Sequence, residues 1–375
     1  MNRSPSLPYL AAVSAASLAV AGAVVPYMAL ELRTRGLSGA PMILAMAALP
    51  TGRLLAGPLW SVLADLTRAQ RWLLRIAAVL AIIGLSLVPQ VGRFWAPLAV
   101  LLYSVGRAPM TPLLDALTLN ALDGDRGRYG RIRRWGSAGF LLSSLLVPVL
   151  VQQLGLEQLT PGFFLCVLVL MMVWWLPEGS PPPKLPLGPA LRALGRDGPM
   201  RWILAAAALH FSAHVGTNSH LAVHMRSLDA PDTLVGVALA LGVAVEIGVM
   251  SAGKWWLETF RPDRLFLIAI AAAIARWALA SVATEGWHLV LIQLSHGFTF
   301  GAFWIAAVSL VSERAAPAVA TSAQGMLAAA VGGVGALIGM AGASTIADIA
   351  DTRAIFVCAI FLAVGATLCA LNVQR

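Results

Sequence analysis

Apolar runs of about 20 residues, separated by short polar connections, recur from one end of this chain to the other. Read by that pattern, the sequence predicts twelve membrane-spanning helices, at roughly 8–30, 40–64, 72–90, 94–121, 132–153, 161–177, 200–224, 233–256, 264–283, 287–311, 317–345 and 354–372. Backbone groups in hydrocarbon must bond within their own segment, and runs this long do so as helices, not as barrel strands. The longest connection, "PEGSPPPKLPLGPALRALGRDGP" (Pro177–Pro199), has three consecutive prolines and polar flanks. It reads as a linker, with a short surface helix expected at Ala190–Arg196. The expected organisation is an N-terminal six-helix half at 1–177, a linker at 178–199 and a C-terminal six-helix half at 200–375. The first apolar run is too long for a signal peptide and the next span follows at once, so it is expected to stay as an uncleaved helix.

Composition agrees with a bilayer as solvent. Of the 375 residues, 59% are hydrophobic and only 11% charged, against about 25% charged in soluble domains. The net charge of +9 does not indicate nucleic acid, because the cations sit in loops and only Lys184 and Lys254 are lysines. Placing both termini on the cytoplasmic side puts 18 Arg and Lys inside and five outside (Arg33, Arg35, Arg93, Arg226 and Arg353), as the positive-inside rule requires. Cys166, Cys358 and Cys369 all fall in apolar segments and read as free thiols, with no disulfide framework or metal spacing. No nucleophile elbow, metal-ligand triad or phosphate loop is present, so neither an enzyme nor a cofactor is expected. Small residues at Gly335, Gly339 and Ala343, and in "GSAG" (Gly136–Gly139), predict close helix packing.

Ionisable groups inside a span cost about 2.5–3.5 kcal/mol each on insertion scales, so those retained are candidates for function. They are Arg53, Arg107, Asp115, His210, His214, Glu246, Arg276 and His296, with Arg133, His220 and His224 nearer span ends. Asp115 follows Pro109 and Pro112 near the middle of span four. It reads either as a substrate or proton site or as half of an ion pair that only fixes packing. Glu246, Arg276 and His296 lie mid-span on three successive helices and could form a proton relay, the bland alternative being three separate polar packers. The i, i+4 pairs His210–His214 and His220–His224 have a spacing that could hold a metal, but no further ligand completes a set. No metal is therefore expected, and His214 is expected to face a cavity.

With these residues in view, the sequence resembles the major facilitator superfamily. "SVLADLTRAQR" (Ser61–Arg71) falls between spans two and three, where that superfamily carries an acidic–basic gating loop motif, and Asp65 and Arg71 take its acid and base positions. Ser61 replaces the motif's first glycine. "PLLDAL", "YGRIRRWGSAGF", "LGVAVEIG" and "ARWALASVATEGWHLVLIQLSHGFTFGAFW" resemble the 3-phenylpropionic acid transporter group, and more distantly lactose permease. The resemblance implies two related halves around a midplane site. It also implies sugar-binding positions at Asp115 and Arg133, an arginine at Arg276 and a histidine at His296. The lactose-permease glutamate that carries the proton falls on Thr299, so Glu246 is the expected carrier here, with Asp115 second.

The function so implied is secondary transport of a small organic solute (an aromatic acid, sugar or nucleoside) by alternating access, coupled to protons. Asp115, Arg133, His214 and Arg276 are expected to bind substrate, and Glu246 and His296 to couple it to the proton. A drug or metabolite exporter on the same fold is the alternative, and a membrane sensor or enzyme a distant one. The expected setting is a bacterial inner membrane, and the expected state a monomer.

Overall fold

The computed structural model describes residues 6–37, 39–122, 126–155, 157–176, 192–193 and 195–373. They are mostly helical, with no strand among them. The N-terminal helices are α1 (Leu7–Thr34), α2 (Gly39–Thr67), α3 (Gln70–Leu87), α4 (Ala96–Arg107), α5 (Met110–Ala121), α6 (Tyr129–Leu154) and α7 (Thr160–Trp174). After the linker come α8 (Gly198–Ser227), α9 (Asp232–Ser251), α10 (Gly253–Thr259), α11 (Pro262–Ser281), α12 (Gly286–Ile292) and α13 (Phe303–Arg314). The chain ends with α14 (Ala320–Ala329), α15 (Ala336–Ile349) and α16 (Arg353–Leu371). Most of Pro177–Pro199, including much of the surface helix expected at Ala190–Arg196, lies outside the described residues.

Nine segments among the described residues are long and apolar enough to cross a membrane. The other three predicted spans coincide with the pair α4–α5, with α7, and with α8, which carries four histidines. Span four divides because Pro109, at the N-cap of α5, has no N–H to extend α4. Spans ten and eleven each change pitch midway, through π-helical turns at Gly297–Ala302 and Ala330–Gly335. Large apolar side chains point outward, with Ile349 80% and Phe361 71% exposed, a surface that hydrocarbon solvates and water would not.

Contacts divide the chain into two compact units. The first takes the described residues within Met1–Asp125, Ile132–Leu187 and Ala316–Ala329, and the second those within Arg126–Arg131, Gly188–Ala315 and Ala330–Arg375. In the first, Leu10, Val20, Met28, Leu74, Leu113 and Val173 are core residues. The carboxylate of Asp65, near the end of α2, caps the first turn of α14. It accepts from Thr321 N at 3.3 Å and from Ser322 N and Oγ, both at 2.6 Å. A negative side chain at a helix N-terminus satisfies amides that have no partner within the helix. In the second unit, Leu221, Met225, Trp277 and Phe356 form a core beneath α8, α11 and α16. Gly339 lies against the carbonyl of Ser212 with no room for a Cβ, so the small-residue stripe of α15 packs directly on α8.

Candidate proton and substrate site

α11 carries Arg276 into the middle of the second unit, where it is 2% exposed. Its guanidinium donates from Nη1 to Thr299 Oγ1 (2.8 Å) and from Nη2 to Gln293 Oε1 (2.8 Å), with His296 Nδ1 at 3.2 Å. A guanidinium has only hydrogens to offer, so the imidazole nitrogen facing it must be the bare one. The remaining hydrogen of a neutral His296 then sits on Nε2, which lies 3.5 Å from Glu246 Oε2. A neutral imidazole thus stands between a buried cation and a buried carboxylate. Among the described residues no carboxylate forms an ion pair with Arg276 itself.

The local sequence explains this convergence. Gln293, His296 and Thr299 recur every three residues, which turns all three toward α11. The chain around them is irregular, a 3-10 turn at Gln293–Ser295 followed by the π turn at Gly297–Ala302. Such turns disturb the regular helical ladder; His210 on α8 meets the carbonyl of Thr299 here, Nε2 to O, at 2.8 Å. The Thr299 hydroxyl in turn donates to Ser295 O at 3.0 Å while accepting from Arg276.

Gly297 brings this helix against α9. A Cβ at that position would lie 2.6 Å from the carbonyl carbon of Val245 and 2.7 Å from the amide nitrogen of Glu246. Backbone cannot yield as a flexible side chain can, so Gly297→Ala should force α9 away and lengthen the Glu246–His296 contact. The expected loss is about 1–3 kcal/mol, the usual range for overpacking, read as a lower unfolding midpoint in detergent. An unchanged midpoint would mean the helices separate freely at this point.

His214 completes the cluster. Its ring stacks on Phe300 (5.0 Å between centroids) and leans over His296 (4.9 Å), with Asn218 Nδ2 at 3.0 Å from its Nε2. The other histidines of α8 turn to different partners. His220 Nδ1 meets Gly216 O at 3.2 Å, and His224 Nδ1 meets Thr352 Oγ1 at 2.8 Å. The i, i+4 pairs therefore diverge, and no group of three metal-ligating side chains occurs among the described residues.

The first unit holds the remaining candidates. Asp115 on α5 and Arg133 on α6 are both buried, 7% and 8% exposed. Arg107, at the end of α4, donates from Nη2 to Ser17 O at 2.6 Å and has Ser17 Oγ 3.3 Å from Nη1. Arg53 is half-buried within α2. Arg71 donates to Leu176 O at 3.4 Å, just beyond the C-terminus of α7. Arg75, flanked by Trp72 and Trp174, donates to Trp174 O. Cations at a helix C-terminus are favourably placed against its dipole.

Sequence reasoning did not select Gln293, Thr299 or Asn218. Gln293 and Thr299 carry a readable signal, since each stands three residues from His296, but uncharged side chains draw little notice beside charged ones. Asn218, four residues after His214, has the same kind of signal.

The helical membrane bundle and the match of a family model over most of the chain define the class, a major facilitator superfamily transporter. The chain belongs to the MFS_1 like family, whose model matches residues 17–358. It is 28% identical over 325 residues to the maltose permease of Geobacillus stearothermophilus, covering 84% of this chain and 81% of that one. It is 24% identical over 227 residues to a probable 3-phenylpropionic acid transporter of Escherichia coli (strain K12), covering 59% of each. Among solved structures it matches the major facilitator superfamily transporter FucP in the outward conformation, with TM-score 0.79 and 12% identity over 100% of both chains. The protein is a multi-pass membrane transporter of small solutes and not an enzyme.

Proposed function

We propose that this transporter moves a sugar-class solute together with a proton, by alternating access between halves 1–177 and 200–375 joined by the 178–199 linker. The observation that carries the coupling is the line Arg276–His296–Glu246, whose contacts are 3.2 and 3.5 Å. Placing a proton on His296 Nδ1 requires Arg276 to withdraw, because that nitrogen cannot both hold a hydrogen and accept one. Proton occupancy and the position of Arg276 thereby become alternatives, which is what coupling needs. Glu246 is the proton carrier and His296 the group that links it to Arg276.

Asp115, Arg133, His214 and Arg276 are the substrate-binding residues. An acid and a guanidinium together accept from and donate to vicinal hydroxyls, and the similarity to a maltose permease supports a sugar. Asp65 and Arg71 serve the gating loop. The setting is a bacterial inner membrane with both termini cytoplasmic, supported by 18 cations on that side against five.

Maltose and 3-phenylpropionate, the substrate classes named for the two relatives, separate the readings. Maltose should raise the unfolding midpoint of the purified protein saturably and 3-phenylpropionate should not, since ligands stabilise the state they bind. Stabilisation by the acid alone would replace the sugar with an aromatic acid.

A further inference from the structure

Asn218 stands one turn after His214 on α8 and shares its face. Its Nδ2 lies 3.0 Å from His214 Nε2. An amide NH2 can only donate, so that ring nitrogen is the bare one and the hydrogen of the ring sits on Nδ1. His214 Nδ1 is buried and has no hydrogen-bond partner among the described residues. The rest of the ring's surroundings are aromatic, with Phe300 and His296 at 5.0 and 4.9 Å between centroids, Phe211 at 5.8 Å and Trp277 at 6.4 Å. The titratable and charged groups acting on His214 are His210 on its own helix, Arg276 from α11 and His296 from the irregular stretch beyond α12. Glu246 on α9 is reached only through His296.

An imidazolium has two N–H groups to give, and this site has an acceptor for neither. One nitrogen meets an amide NH2 and the other meets no polar group. Charging the ring would leave two buried donors unpaired beside the guanidinium of Arg276, a cost that nothing offsets. His296 differs, because Glu246 Oε2 lies 3.5 Å from its Nε2. We propose that Asn218 is a positioning residue of the transport site, whose neutral amide fixes the His214 ring and holds it uncharged, so that protons enter the cluster only through His296 and Glu246. The last clause rests on the coupling role given above to that pair. An aspartate has the size of an asparagine and reverses the arrangement, since a carboxylate beside an imidazole draws a second proton onto it. Asn218 and Arg276 also border one narrow cavity, so the same carboxylate would compete with His296 for the guanidinium.

The test is nitrogen NMR of the purified full-length protein in detergent. Its six histidines carry 15N, and His214 is identified as the signal lost in His214→Gln. In the native protein His214 should show one bare and one hydrogen-bearing nitrogen from about pH 5 to 8, a range in which an ordinary histidine titrates. Asn218→Leu should shift the signal of the bare nitrogen, because its hydrogen bond is gone. Asn218→Asp should make the ring an imidazolium at about pH 7. A charged His214 in the native protein at about pH 6 would overturn the proposal. So would a His214 signal identical in native and Asn218→Leu, or a ring that stays neutral in Asn218→Asp. Where Asn218→Asp fails to fold, the native titration and Asn218→Leu still decide. Uptake tests the coupling role separately. Added negative charge favours the protonated site, so in Asn218→Asp the dependence of uptake on pH should move about one unit to higher pH. The expected NMR result with an unmoved uptake profile would strike the coupling role of His296 and Glu246 and uphold the hold of Asn218 on His214.

Discussion

Glu246→Gln is expected to abolish accumulation of substrate against a gradient while leaving downhill exchange intact. Glutamine keeps the size of the side chain and an oxygen to accept from His296 Nε2, the contact that measures 3.5 Å in the native protein. What it loses is the ability to carry a proton. A charge crossing the membrane gains about 2.3 kcal/mol per 100 mV. At about 1.4 kcal/mol per decade, one proton moved with a neutral solute supports roughly a fiftyfold concentration ratio per 100 mV. In proteoliposomes with an imposed potential, that ratio should fall to about one in the variant, while preloaded substrate still exchanges at a rate near the native. Undiminished accumulation would remove Glu246 from the coupling, as would native accumulation that a protonophore leaves unchanged.

Arg276→Gln should leave the fold nearly as stable as the native while reducing transport about a hundredfold or more. Two opposing terms decide the stability. The native guanidinium bonds Thr299, Gln293 and His296 across helices, and such bonds are worth about 0.6 kcal/mol each on average and about 1.7 at most. Losing three therefore costs about 2–5 kcal/mol. Removing a charge from the middle of a span returns about 2.5–3.5 kcal/mol on insertion scales, so the terms nearly cancel. Transport has no such compensation, because truncating one member of a buried charged contact costs about 2–5 kcal/mol in the interaction it served. Arg276→Lys should recover only part of the activity, since a compact ammonium cannot span the three acceptors that the planar fork reaches. Initial uptake rates, set beside unfolding midpoints, check both parts. A variant that unfolds and fails to transport together would reduce Arg276 to a packing role.

The helices were legible because bilayer physics leaves an apolar run of this length few alternatives. The break in span four, read as one continuous helix at 94–121, has a purely local cause, the missing N–H of Pro109. The superfamily was legible from Asp65, Arg71 and the fragments around Asp115, Arg133, Glu246 and Arg276. Thr299 was legible only as a departure, the position where a glutamate was expected. Its role in the structure, accepting from Arg276 while its own carbonyl receives His210, depends on the π turn at Gly297–Ala302. That turn belongs to the contact of Gly297 with α9 and of Thr299 with α8, and no local propensity encodes it.

Long-range partnership was likewise beyond the sequence. Asp65 was readable as a motif acid, but the amides it caps, at Thr321 and Ser322, lie more than 250 positions away. The order of residues does not say which loop acid will find which helix end. By itself the sequence determined the solvent, the all-helical class, the family and the set of ionisable groups within spans, because each follows from hydropathy, charge or a short motif. Only the tertiary structure decided that His296 stands between Arg276 and Glu246 and that neutral Gln293 and Thr299 hold the guanidinium. Those relations depend on how several helices rotate and approach, and glycine contacts and pitch changes set that rotation to within a few ångströms.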